Sequence, residues 1–75
     1  MEKSELDQLR DNYKKAVEEW IGAIRAEASL ATFDHTIPAV DSWENAGFIE
    51  EKARARAKEA RQIYEDALRK LNFNF

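Results

Sequence analysis

Apolar residues recur at three- and four-residue steps along the first third of the chain: Leu6, Leu9, Tyr13, Ala16, Val17, Trp20 and Ile24. This is the period of an amphipathic α-helix, whose successive turns bring such positions onto one face. Ser4 supplies an N-cap, Asp7 stands three residues on as a variant capping box, and Glu5 sits favourably in the first turn. Asp11 and Lys15 add an i,i+4 pair on the polar side. The pattern predicts a helix from about residue 5 to 33, roughly 43 Å long at 1.5 Å per residue.

Between Trp20 and Phe33 a second apolar stripe joins the first. Trp20, Ile24 and Ala28 make one line at helical spacing, and Gly22, Ala26, Leu30 and Phe33 make another. A surface helix needs only one such stripe, so two of them in so short a chain predict a second neighbour. Gly22 and Ala26 have the small-xxx-small spacing that admits another helix closely. The alternative for Gly22 is a mild kink, since glycine inside a helix costs about 1 kcal/mol relative to alanine.

Pro38 disfavours the α conformation at Ile37. The sequence therefore predicts a connector over about residues 34–41 and a second helix over about 42–71, with Asp41 as N-cap and Glu44 at the capping-box position. Asn45-Ala46-Gly47 is a weak point, which moves the expected start of regular helix toward Phe48. Beyond it, Ala53, Ala57, Ala60, Tyr64, Ala67 and Leu71 form a heptad-like seam, flanked by Ile63 and Leu68. Alanine there lets a neighbouring helix come close, and the first helix supplies large residues to oppose it. Glu50 with Arg54, Glu65 with Arg69 and Asp66 with Lys70 have the favourable i,i+4 orientation. Arg69 and Lys70 suit the helix end, Asn72 suits a left-handed cap, and Phe73 and Phe75 complete an aromatic tail over residues 72–75.

The expected fold is all-α: one domain over residues 1–75, an antiparallel two-helix hairpin. Two helices share only one seam, so Trp20, Gly22, Ala26, Leu30, Phe33, Phe48 and Ile49 are the expected oligomer interface. Pairing two hairpins into a homodimeric four-helix bundle would cover them.

Composition agrees with this picture. A chain this small buries only about 60% of its unfolded surface, and with Cys 0 neither a disulfide framework nor a thiolate metal site is available. The remaining reinforcements are close helix packing and oligomerisation. Gly 2 and Pro 1 leave little material for the turns that many short strands require. The first residues, Met1-Glu2-Lys3-Ser4-Glu5, do not read as a secretory signal. The longest apolar-rich segment is broken by Arg25 and Glu27 and is too short to span a bilayer. The expected location is cytoplasmic, without membrane.

Charge is unevenly spread. Residues 1–51 hold 5 Lys/Arg against 12 Asp/Glu, and residues 52–75 hold 7 against 3, within a net charge of −3. Two antiparallel helices that neutralise one another account for this, as does a basic binding segment. Arg54, Lys58 and Arg61 share a face at i, i+4, i+7 and make the candidate surface for an acidic protein or a phosphate backbone. The acidic remainder, the intervening Glu59 and the absence of interleaved aromatics speak against nucleic acid. Trp43, Phe73 and Phe75 are candidate docking anchors for a larger assembly.

Chemistry is thinly represented. His35 is the only histidine, and together with Asp34, Asp41 and Glu44 it matches no metal-ligand spacing; capping accounts for Asp41 and Glu44. Glu18-Glu19 and Glu50-Glu51 are helix neighbours that point about 100° apart, not carboxylates facing across a pocket. Ser4 and Ser42 read as caps and Ser29 as a helical residue, and no phosphate loop or nucleophile elbow is present. The expectation is a non-enzymatic, cofactor-free interaction or structural module that self-associates. A nucleic-acid-associated regulator and a docking subunit of a heteromeric complex are the alternatives.

Overall fold

A three-to-four-residue apolar period with one break after Leu30 produces two helices. In a computed structural model that describes residues 3–31 and 36–73, α1 spans Lys3–Leu30 and α2 spans Ile37–Phe73. Trp20 of α1 meets Glu50 of α2, and Tyr13 meets Tyr64. Contacts that step toward the N-terminus on α1 thus step toward the C-terminus on α2, and the helices pack as an antiparallel hairpin.

The seam is built from large residues on one side and alanine on the other. Leu6, Leu9, Tyr13, Ala16, Val17 and Trp20 are half-buried. Opposite them Ala46, Ala53, Ala57 and Ala67 retain only 7, 2, 3 and 4% exposure. The alanines let the axes approach, and the larger α1 side chains lie across them while keeping their own outer surfaces wet. Tyr13 and Tyr64 stack with ring centroids 6.3 Å apart at 26°, an offset pairing that adds to their burial. Ile24, expected in the same stripe, is 43% exposed at the seam's edge, and Leu71 is 51% exposed near the end of α2.

Helix boundaries depart from the sequence expectation at all four ends, and α1 starts at Lys3, so Ser4 lies inside the helix and not at its N-cap. α1 ends at Leu30, not near residue 33, because the Ala31 N–H donates to the Ala28 carbonyl at 3.2 Å and tightens the last turn. Ser29 Oγ donates to the Ala26 carbonyl at 2.8 Å in the same turn. α2 begins at Ile37, before Pro38, not near residue 42. The Val40 N–H donates to the Thr36 carbonyl at 3.0 Å, so Pro38 occupies the first turn, where a missing N–H costs no intrahelical bond. Asp41 is consequently an interior residue of α2 and not its cap. The weak point at Asn45-Ala46-Gly47 is bridged as well: Ala46 is buried against α1, and that contact outweighs glycine's propensity cost. α2 also runs through Asn72 and Phe73, so the left-handed cap is replaced by an Asn72 Nδ2 hydrogen bond to the Leu68 carbonyl at 2.9 Å. Phe33, Asp34, His35 and Phe75 lie outside the described residues.

The hairpin is long and thin, 56 × 17 × 12 Å with a radius of gyration of 17.1 Å, where a compact chain of this length has about 11 Å. Its accessible surface is 6036 Å², against about 4,700 Å² for a folded monomer of this mass.

Candidate interaction surface

A two-helix hairpin has two broad faces, one on each side of the seam. Leu9 and Asn12 of α1 join Arg56, Glu59, Ala60 and Ile63 of α2 around an open groove of about 270 Å³, and this fixes which helix edges share the first face. At about 100° per residue, Ala26, Leu30 and Ile49 fall on the same face, whereas Gly22 and Phe48 point about 150° away from the seam. The expected interface residues are therefore divided. Leu30, Ile49 and Phe48 are 40, 53 and 63% exposed, and Gly22 has nothing within 4 Å of where a Cβ would stand.

Trp20 takes a different place. It is half-buried in the seam, and its Nε1 donates to Glu50 Oε1 at 2.8 Å. Glu50, read in sequence as the partner of Arg54, thus serves as an interhelical acceptor. The only sequence signal for this was an acid close to the level at which an antiparallel α2 passes Trp20.

The second face carries Ile21 and Ile24 of α1, 41 and 43% exposed, and Trp43 of α2, 44% exposed. Ile37 and Val40, added to α2 by its early start, are 77 and 39% exposed. Arg54, Lys58 and Arg61 border this face. Arg54 is half-buried and Lys58 exposed, while Arg61 Nε donates to Glu65 Oε1 at 3.0 Å. Glu65 thus pairs back to Arg61 and not forward to Arg69, and Asp66 accepts from Gln62 Nε2 at 2.9 Å. On α1, Arg10 lies 3.5 Å from Asp7 and 3.4 Å from Asp11. These pairs are exposed, so each contributes at most about 1 kcal/mol.

The groove at Leu9 and Ile63 has Arg56 and Glu59 as its charged residues, beside the apolar Leu9, Ala60 and Ile63. Among the described residues no three His, Cys, Asp or Glu gather to hold a metal, and no helix is long and apolar enough to cross a membrane. Phe73 ends α2, and the remaining anchor from the sequence, Phe75, falls outside the described residues. No protein family matches this chain, and comparison with curated proteins and with solved structures finds no match.

Proposed function

We propose that the protein is a self-associating helical hairpin whose role is structural or protein-interacting, two copies pairing into a four-helix bundle. One observation carries this: the chain exposes 6036 Å², about 1,300 Å² more than a folded monomer of its mass. A standard interface buries about 800 Å² on each partner, so the surplus suffices for one. Its composition supports the same conclusion, because ten large apolar side chains are 39–77% exposed while the buried core among the described residues consists of four alanines. Small scaffolds without disulfide or metal reach stability through such pairing.

Sedimentation equilibrium on the full chain, with far-ultraviolet circular dichroism on the same samples, tests the proposal. Twice the chain mass with high helix content supports it. A helical monomer across the concentration range overturns it and directs attention to a different protein as the missing half.

A further inference from the structure

The early start of α2 places its acidic and basic residues on one continuous helix. Glu44, Gly47, Glu51, Arg54, Lys58 and Arg61 fall within one stripe about 100° wide at 3.6 residues per turn, bordering the second face. Along it Glu44 and Glu51 come first, then Arg54 and Arg61. These four are symmetric about the midpoint between Lys52 and Ala53, Glu44 mirroring Arg61 and Glu51 mirroring Arg54, while Glu65 of the same stripe mirrors Val40 and accepts from Arg61 of its own chain. On α1, Glu18 and Arg25, both exposed, are likewise mirrored about the midpoint of Ile21 and Gly22. The hairpin brings these two midpoints to one level. Trp20 meets Glu50, Tyr13 meets Tyr64, and a Cβ at Gly47 would lie 3.7 Å from Glu27 Oε1; averaged over these three contacts, the turn at Ile21 lies level with the turn at Lys52.

From this coincidence we propose that the partner is a second, antiparallel copy of this chain, docked through the second face about a two-fold axis at the level of Ile21 and Lys52. Resting on the self-association proposed above, it assigns that association a face, an orientation and a register. A two-fold axis across the long direction lays α1 on α1 and α2 on α2 in opposite senses. Glu44 then meets Arg61 of the second copy, Glu51 meets its Arg54, and Glu18 meets its Arg25. A parallel copy places like charge on like at every one of these positions. The affinity comes from Ile21, Ile24 and Trp43, since exposed ion pairs are worth little; the charges select the register. Gly47, without a side chain, keeps the α2 contact close opposite Lys58. Arg61 retains donors for Glu44 of the second copy while bonded to its own Glu65.

The test is a charge exchange followed by sedimentation equilibrium on the full chain at low salt, with circular dichroism to establish helicity. Reversing the acids alone, Glu44→Arg with Glu51→Arg, is expected to weaken pairing by about tenfold or more. Adding Arg54→Glu and Arg61→Glu restores the complementarity, and pairing returns to within about threefold of the original. That exchanged chain does not pair with the original chain. Glu51→Gln alone, a mild change in helix propensity, weakens pairing by about threefold. A dimer indifferent to the acid reversal and to Glu51→Gln overturns this register while leaving self-association intact, and so does a helical four-fold variant that stays monomeric. A monomeric original chain overturns both proposals.

Discussion

Trp20 Nε1 donates to Glu50 Oε1 across the hairpin at 2.8 Å, the indole half-buried and the carboxylate beside it half-buried as well. It is a polar tie between α1 and α2 in a seam otherwise made of alanine and larger apolar side chains. Hydrogen bonds to a charged group contribute more than neutral ones, and an acceptor left without its donor keeps its desolvation cost. Trp20→Phe retains most of the ring contact and removes the donor. It is expected to lower unfolding free energy by about 1–2 kcal/mol, read as a drop in urea midpoint at unchanged slope. Glu50→Gln keeps an acceptor oxygen and is expected to cost less. Equal midpoints for Trp20→Phe and the original chain would show that the bond adds nothing.

The alanine seam makes a sharper demand. Ala57 is 3% exposed, whereas Ala55 on the outer side of the same helix is exposed. Ala57→Leu forces the axes apart and is expected to destabilise by about 1–3 kcal/mol. Ala55→Leu, with similar helix propensity and open space, is expected to change stability by less than about 0.5 kcal/mol. Thermal unfolding of the two variants side by side checks the pair, and equal melting temperatures would refute the close-packed seam.

The glycines offer an opposite sign. A Cβ at Gly22 meets nothing within 4 Å, and one at Gly47 reaches ordinary contact with Glu27 Oε1 at 3.7 Å. Both lie inside regular helix, so neither needs glycine's conformational freedom within the hairpin. Gly22→Ala is expected to raise stability by about 0.5–1 kcal/mol and to leave the solution mass unchanged. A stabilised variant that no longer pairs would place Gly22 at the contact between copies.

Much of the hairpin was legible in the sequence, and the losses are instructive. Leu6 to Trp20 and Ala53 to Ala67 announce their faces because the period is strong and long enough to outweigh local propensity. Pro38 misleads because proline's bias on the residue before it yields to its tolerance of a helix's first turn, where Val40 bonds to Thr36. Gly47 misleads because the burial of Ala46 beside it outweighs local helix propensity. Together they start α2 late and assign Glu44 to a capping role, which hides the charge order of one long helix. The Trp20–Glu50 bond spans thirty residues of sequence, and its register is set by the packing of the whole seam, not by any local signal.

The two faces differ in what they are expected to do. Ile21 on the second face and Ile49 on the first are 41 and 53% exposed, so neither supports the hairpin core heavily. Ile21→Glu is expected to weaken pairing by tenfold or more, since a charge buried at the middle of an interface without a partner costs about 2 kcal/mol or more. Ile49→Glu is expected to leave it within about threefold. Analytical gel filtration over a dilution series distinguishes them, and the reverse ranking would move the contact to the Leu9–Ile63 groove face.

Self-association itself is tested most directly by the buoyant mass of the unmodified chain at sedimentation equilibrium, from micromolar to near-millimolar concentration. A self-associating hairpin gives twice the 8.7 kDa of one chain, with helical circular dichroism throughout. A single species of 8.7 kDa that stays helical at every concentration would contradict it.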